Sequence, residues 1–135
     1  EGYLSCKHKD LKAFEQDCSG CPDLTPTLAF IASFCEGVTK LSNLEVLHHK
    51  ESDRVIEILN LLKAFGVEHN YDHSNEVIEI IGKTINTDEF VSYSPAEDHR
   101  MVMVSYLFMR MCNGGELYNH HHVKKSFSNF YEAMC

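Results

Sequence analysis

Apolar residues recur every three or four positions in four parts of the chain, and this spacing predicts four helices. The first covers residues 24–35, directly after a proline-containing turn that suits a first helical turn. The second covers 52–65, with Ser52 as its N-cap. The third covers 100–112 and is apolar on nearly every side, which predicts a helix buried by its neighbours. The fourth covers 126–134.

Shorter segments between these helices have strand character, because β-branched and aromatic residues alternate with polar ones. Strands are predicted at 11–17, 38–44, 67–71, 76–81, 90–93 and 116–119. The third and fourth of these strands form a hairpin across residues 73–75. The predicted order is strand, helix, strand, helix and hairpin, followed by strand, helix, strand and helix. This order predicts a mixed α/β fold with a structural repeat whose second copy lacks the hairpin.

Charged residues stand at the beginning of each predicted helix, and we interpret them as parts of one anion-handling site. A helix N-terminus presents unpaired N–H groups and the positive end of the helix dipole, so it attracts anions. Lys50 and Arg54 are four residues apart across the start of the second helix and can grip a phosphate or carboxylate together. Arg100 offers a planar fork suited to a carboxylate. Lys124 and Lys125 add two cations before the fourth helix.

Two carboxylates in the same segments, Asp23 and Glu51, are candidate acid or base groups. A structural interpretation competes with this one, because charged residues at helix starts commonly form a solvated surface with caps and short-range ion pairs. On that interpretation Asp23 and Asp98 are N-caps and His99 has a structural role. Spacing alone leaves both interpretations open and names no reaction.

Composition narrows the classes of partner. With 135 residues, 44% of them hydrophobic and 24% charged, the chain is long and apolar enough for one folded domain with a core. Its formal net charge of −8 argues against a nucleic-acid partner, which requires a basic surface. Five of the twelve basic residues lie in the helix-start motifs, and this favours a small anionic ligand. No apolar run is long enough for a membrane span and no signal-peptide pattern is present, so we expect no membrane partner.

The six cysteines and the histidine cluster raise the question of a metal site. Cys18 and Cys21 have the Cys-x-x-Cys spacing, but no second pair follows at zinc-ribbon distance. The three consecutive histidines at 120–122 cannot face one way on a helix or a strand. Cys35 and Cys112 lie in apolar helical patterns, which predicts buried free thiols. We therefore predict no metal site, in a reduced, cytoplasmic protein.

Five motifs, taken in order, resemble the C-terminal part of the EPSP synthase family. They are PDLTPTLA at 22–29, GVT at 37–39, KESDR at 50–54, DHRMVM at 98–103 and KSF at 125–127. Their order and spacing match from about residue 11 to the end of the chain. A single Asp-His-Arg would carry no weight, whereas five motifs in order are specific.

The resemblance implies a reaction and a fold. The family transfers the enolpyruvyl group of phosphoenolpyruvate to the 5-hydroxyl of shikimate-3-phosphate and releases phosphate, in aromatic amino-acid biosynthesis, and it is the target of glyphosate. It needs no metal and no organic cofactor. Its fold is an inside-out barrel of repeated βαβαββ units, of which this chain would supply one complete unit at 1–82 and an incomplete one at 83–135.

The resemblance also implies catalytic roles for three residues. Asp23 would contact the shikimate hydroxyls and is a candidate base for the attacking 5-hydroxyl. Lys50 would bridge the reacting groups of the two substrates. Glu51 would serve in proton transfer at the methylene carbon of phosphoenolpyruvate.

Substrate binding is implied for three further basic residues. Arg54 and Arg100 would hold the carboxylate and phosphate of phosphoenolpyruvate, and Lys125 would bind the same substrate. Two departures weaken the match of the last motif, because many members have a small residue at the position of Lys124 and a proline at that of Ser128.

Family members are several times longer than this chain and place the active site between two domains. The resemblance therefore implies a partner, the missing N-terminal part of the same protein, which would supply the hairpin of the last unit and the grip on the shikimate phosphate. Several members also have an asparagine that contacts shikimate at the position of Val46. Two alternatives are the related transferase that acts on UDP-N-acetylglucosamine and a non-catalytic binding module of the same fold.

Overall fold

A computed structural model describes residues 2, 5 and 9–135. The helices are α1 (Thr25–Phe34), α2 (Arg54–Ala64), α3 (His99–Met111) and α4 (Phe130–Ala133). The strands are β1 (Glu15–Asp17), β2 (Val38–Ser42), β3 (His69–Asp72), β4 (Val77–Ile81), β5 (Val91–Tyr93) and β6 (Gly115–Leu117). Short 3₁₀ helices cover Pro22–Leu24, Glu45–His49 and His120–Lys125.

The strands form two sheets. The larger sheet has the order β1-β2-β4-β3, with β1 parallel to β2 and both β2 and β3 antiparallel to β4. The smaller sheet pairs β5 with β6 in parallel. Each parallel pair is connected through a helix, as a parallel connection requires. The predicted mixed α/β class is confirmed, whereas the division into units at 1–82 and 83–135 stays a prediction.

The core lies between the larger sheet and helices α1, α2 and α3. Leu41 of β2 pairs with Ile78 of β4, and both side chains are fully buried. Above them, the ring of Phe108 on α3 stacks on Phe65 with 5.0 Å between centroids and meets the edge of Phe30 at 5.1 Å. Helix α3 is buried on most of its length, as its apolar sequence predicts. This packing holds the three long helices in a fixed relation to one another.

The N-cap of helix α2 lies one residue later than predicted. Its N-cap is Asp53, whose Oδ1 accepts a hydrogen bond from the Ile56 N–H at 3.2 Å. The Ser52 hydroxyl, predicted as the cap, instead donates to the carboxylate of Asp98 at 2.8 Å. Both residue types are good caps, so the tertiary partner of Ser52 decides between them.

The predicted fourth helix at 126–134 is wrong in its length, because α4 has a single turn. Val123 and Phe130 are buried together, but residues 124–129 between them are exposed. A helix across that segment would bury no apolar face, and short helices need such packing. Lys124 and Lys125 consequently end a 3₁₀ helix and do not begin an α-helix.

The strand boundaries also differ from the prediction, by one to four residues, and the first and last strands illustrate this. The first strand starts at Glu15, and among the described residues before it only Lys12 forms a bridge, to Glu36. The last strand ends at Leu117, and Asn119 has a left-handed backbone with φ of 54°. Such a backbone cannot continue a strand.

Gly82, which directly follows β4, lies against the C-terminal end of helix α1. Its N–H donates to the Gly37 carbonyl at 3.0 Å. A Cβ at position 82 would lie 1.9 Å from the carbonyl oxygen of Cys35 and 2.7 Å from that of Ala32. These are backbone atoms that cannot rotate away, so only glycine fits.

We predict that Gly82→Ala lowers the free energy of unfolding by at least about 2 kcal/mol, because the added methyl group forces the sheet and the helix apart. Urea unfolding followed by circular dichroism measures the change. Gly20→Ala is the matched control, since a Cβ there meets no atom within 4 Å. Equal stability of the two variants would contradict the close approach.

Candidate functional site

The side chain of Arg54 is fully buried and is surrounded by three carboxylates. Its Nε donates to Asp98 Oδ2 at 2.8 Å and its Nη2 to Asp98 Oδ1 at 3.2 Å. Nη1 donates to Asp23 Oδ1 at 2.8 Å, and Nη2 also donates to Glu51 Oε2 at 2.7 Å. One guanidinium therefore connects three separate segments of the chain.

Helix capping explains how Asp98 reaches this position. Asp98 is the N-cap of α3, and its Oδ1 accepts from the Arg100 N–H at 3.0 Å. Its Oδ2 accepts from the Ser52 hydroxyl as well as from Arg54. Arg54 is the first residue of α2. The buried Arg54–Asp98 pair thus joins the starts of two helices.

Asp23 is the point at which three cations converge. It lies in the 3₁₀ turn that leads into α1, and its side chain is 49% exposed. Lys50 Nζ is 3.3 Å and Arg54 Nη1 2.8 Å from Asp23 Oδ1, while Arg100 Nη2 is 3.5 Å from Asp23 Oδ2. Lys50 and Arg100 are themselves partly exposed, so an anion from solution can reach both of them.

The electrostatics favour the charged forms of Asp23, Asp98 and Arg54. Partial burial disfavours the charge on Asp23, but the hydrogen bond from Arg54 and the charges of Arg100 and Lys50 lower its pKa below the usual range. Burial opposes the charge on Asp98 too, and the bonds from Arg54 and Ser52 nevertheless lower its pKa. Burial disfavours the cation of Arg54, yet Asp98 and Asp23 raise its pKa. Asp23 is therefore a weak base as long as its three cations contact it.

The structure brings together five of the six predicted site residues. Those five are Asp23, Lys50, Glu51, Arg54 and Arg100. Lys125 is exposed at the end of the 3₁₀ helix His120–Lys125, and within the described residues its side chain makes no hydrogen bond or ion pair. Three predicted helix starts thus meet at one place, and the fourth contributes no contact to it.

The structural interpretation of the charged motifs is partly right as well. Asp98 is a helix N-cap, as that interpretation predicts, and Glu51 and Arg54 form an ion pair three residues apart. Asp23 makes no capping hydrogen bond to α1. The same groups therefore hold the helices and form the cluster.

Sequence reasoning missed the partnership of Arg54 with Asp98. A signal for the burial of Arg54 exists, because it precedes Ile58 by four residues and so lies in phase with the buried face of α2. A buried arginine requires a carboxylate partner. Nothing in the spacing indicates which of the twenty acidic residues that partner is.

The described part of the chain offers no group of three or more His, Cys, Asp or Glu side chains that could hold a metal ion. Its five cysteines are free thiols, and Cys18 and Cys35 are buried. The predicted burial of Cys112 is wrong, because that residue is partly exposed at the end of α3. No helix among the described residues is both long and apolar enough to cross a bilayer.

Comparison with known proteins gives consistent results. A family model described as EPSP synthase (3-phosphoshikimate 1-carboxyvinyltransferase) matches residues 2–134. A 3-phosphoshikimate 1-carboxyvinyltransferase of Methanococcus aeolicus is 34% identical over 92% of this chain and 28% of its own length. One of Syntrophobacter fumaroxidans is 32% identical over 99% of this chain and 31% of its own. The chain thus spans less than a third of these relatives.

Solved structures share the fold. An EPSP synthase from Acinetobacter baumannii superimposes with a TM-score of 0.73 at 23% identity, over 91% of this chain and 29% of that one. The enolpyruvyl transferase NikO from Streptomyces tendae gives a TM-score of 0.69 at 20% identity, over 92% and 27%.

We predict that Asp98→Asn lowers the free energy of unfolding at neutral pH by about 3–5 kcal/mol, because Arg54 is left buried with an unbalanced charge. The pKa of Asp98 is lowered in the folded state, so its carboxylate contributes stability above about pH 3.9. That contribution is lost as the pH falls through the lowered pKa. The difference between wild type and variant should therefore shrink on acidification.

Chemical unfolding between neutral and acidic pH measures this effect. Asp88→Asn is the control, since Asp88 is exposed. An Asp98→Asn variant as stable as the Asp88→Asn control at neutral pH would show that the pair does not hold the helices.

Proposed function

The chain belongs to the EPSP synthase (3-phosphoshikimate 1-carboxyvinyltransferase) family, and we propose that it supplies part of the active site for the family's reaction. In that reaction the enolpyruvyl group moves from phosphoenolpyruvate to the 5-hydroxyl of shikimate-3-phosphate, and phosphate is released. The chain spans 28% and 31% of the two relatives described above, so we propose that the rest of such a protein completes the site.

The observation that carries this proposal is the convergence of Lys50, Arg54 and Arg100 on Asp23. Both substrates are anions, and phosphoenolpyruvate carries a carboxylate and a phosphate next to each other. A guanidinium and an ammonium at a helix start suit such a ligand. On a chain with a net charge of −8, this local group of cations is the feature that an anionic substrate would recognise.

Lys50 and Arg100 are the cations that a substrate can approach directly. Their side chains are 25% and 36% exposed, whereas that of Arg54 is completely buried. An anion that contacts Arg54 has to displace Asp23 or Glu51 from its terminal nitrogens. We propose that phosphoenolpyruvate does this, so that Arg54 exchanges a carboxylate of the protein for one of the substrate.

Such an exchange would change the chemistry of Asp23. Its pKa is lowered by the cations that contact it. When the substrate draws Lys50 and Arg100 away, the pKa of Asp23 rises and its carboxylate becomes a stronger base. Asp23 is then suited to accept the proton of the attacking 5-hydroxyl.

The remaining proton transfers are assigned to the neighbouring residues. Addition requires a proton at the methylene carbon of phosphoenolpyruvate, and elimination removes a proton from the resulting methyl group as phosphate leaves. We propose that Glu51, half-exposed beside Arg54, carries the proton to and from this carbon. Lys50 would bridge the reacting groups of the two substrates. The proposed binding of phosphoenolpyruvate by Lys125 rests on the sequence motif alone. No metal and no organic cofactor takes part in the proposed reaction.

Phosphate release by a protein of the relatives' length that contains this chain tests the proposal. Release that depends on both phosphoenolpyruvate and shikimate-3-phosphate is expected. Release with UDP-N-acetylglucosamine as the acceptor would instead assign the related transferase. Binding without release for either acceptor would identify a non-catalytic module.

In that protein, we predict that Lys50→Ala and Arg100→Ala each lower kcat/KM by at least about a hundredfold, because positioned charges that face developing charge have effects of that size. Steady-state phosphate release measures it. Lys63→Ala is the control, since Lys63 is an exposed lysine later on the same helix α2. Near-normal turnover of both site variants, with intact folding, would exclude the proposed site.

For the 135-residue chain by itself, we predict no turnover with both substrates present. Its aromatic core can form without further segments, but a site open to water on one side lacks the exclusion that catalysis requires. Circular dichroism and phosphate release on the same sample test this. Turnover by the chain alone would show that its own residues complete the active site.

A further inference from the structure

The imidazole of His48 lies between two carboxylates outside the cluster around Arg54. Its Nδ1 is 2.8 Å from Asp53 Oδ2, and its Nε2 is 3.1 Å from Glu76 Oε2. The Tyr71 hydroxyl donates to the same Glu76 oxygen at 2.8 Å and lies 3.4 Å from His48 Nε2. The side chain of His48 is 28% exposed, so protons from solution can reach it.

This geometry fits the protonated ring. A neutral imidazole has one N–H, so it can donate to only one of two carboxylates, and its bare nitrogen then faces the oxygen of the other. The imidazolium donates to both. Neutral His48 therefore has to give up either Asp53 or Glu76.

The position of His48 relates it to the proposed site. Residues 49–52, which include Lys50 and Glu51, form the loop that the His48–Asp53 contact closes. Asp53 uses its other oxygen to cap α2, and Arg54 follows directly. The second contact, to Glu76, attaches this closed loop to the hairpin formed by β3 and β4.

We propose that His48 is a positioning residue that, when protonated, fastens the loop carrying Lys50 and Glu51 to the β3–β4 hairpin. Its effect on catalysis rests on the function proposed above, whereas the bridge itself does not. Loss of the proton removes one contact and loosens the loop. Binding of the anionic substrate would then weaken as the pH rises.

The charged groups around His48 favour its protonated form. Asp53 faces His48 from the start of α2, and Glu76 faces it from the turn before β4. The Tyr71 hydroxyl faces it from β3. Glu45, near Tyr71, lies in the same 3₁₀ helix as His48. The hydrogen bond to Asp53 raises the pKa of His48, partial burial opposes the shift, and Glu76 adds to it. Because the folded-state pKa is raised, the bridge is complete below about pH 6.5 and is lost as the pH rises through the raised value.

The bridge can be measured without any enzyme activity. Titration of the 135-residue chain by NMR should give a His48 pKa above about 6.5, the value of an unperturbed histidine. Glu76→Gln should lower that pKa, because it removes one of the two facing charges. His49→Gln should leave it unchanged, since the His49 ring is exposed and forms no hydrogen bond or ion pair within the described residues. A His48 pKa at or below about 6.5, or one insensitive to Glu76→Gln, would overturn the proposal.

The positioning role is tested in a protein of the relatives' length that contains this chain. The wild type should lose at least about fivefold in kcat/KM for phosphoenolpyruvate between about pH 6 and pH 8.5, a typical size for coupling between two sites. His48→Arg keeps a permanent charge and should reduce this loss. His48→Gln should have a lower kcat/KM than the wild type already at the lower pH, and its kcat/KM should fall less as the pH rises. His49→Gln should behave as the wild type.

Titration of the substrate itself is common to all of these variants, so the differences between them report on His48. A His48→Gln protein with the pH profile of the wild type would overturn the positioning role. If the wild-type protein itself releases no phosphate, the proposed function fails, and the NMR titration alone decides whether the bridge exists.

Discussion

The arrangement of the candidate site depends on one buried cation, Arg54. Removing a guanidinium from water is costly unless carboxylates compensate its charge, and here Asp98 is buried with it. Because the two residues lie at the starts of α2 and α3, satisfying the charge also sets the relation between those helices. Asp23 then adds the segment before α1 through a further hydrogen bond to the same guanidinium. The need to balance the buried charge of Arg54 therefore brings three helix starts together.

The cluster is electrically balanced without a ligand. Three cations, Lys50, Arg54 and Arg100, contact three carboxylates, Asp23, Glu51 and Asp98. An anion that enters has to compete with a carboxylate already present. Asp98 cannot be displaced easily, since it is buried and accepts four hydrogen bonds. Asp23 and Glu51 are half-exposed, so they are the carboxylates that an entering anion could displace.

His48 and its two carboxylate partners, Asp53 and Glu76, form a second set of charged contacts next to the cluster around Arg54. Asp53 is both the cap of α2 and a partner of the imidazole, so the helix start and the loop before it share one carboxylate. Through Glu76 this loop also contacts the hairpin of the larger sheet. The charged residues around the site thus form successive contacts, from the buried Arg54 outward to the surface. His48, whose pKa is raised by these carboxylates, lies in the outer part of this series, where solvent has access.

Much of the fold follows from the sequence, because the long helices and the hairpin depend on local spacing. The apolar stripe of α2, the nearly uniform apolarity of α3 and the turn before β4 are each visible in a short window. The family was also recognisable, since five short motifs in order are specific and the family model matches nearly the whole chain. The prediction failed at 126–134, where helical spacing is present but the intervening residues have nothing to pack against.

The amino-acid sequence alone shows which residues at the helix starts are charged, and it predicts a small anion as their ligand. The pairing of these charges depends on the folded chain. Ser52 and Asp53 are equally good caps in isolation, and Asp98 selects between them by accepting the Ser52 hydroxyl. Whether Arg54 faces a ligand or three carboxylates likewise depends on residues far apart in the chain. Hydrophobic periodicity is encoded locally, whereas the compensation of a buried charge requires partners that only folding brings within a hydrogen bond's length.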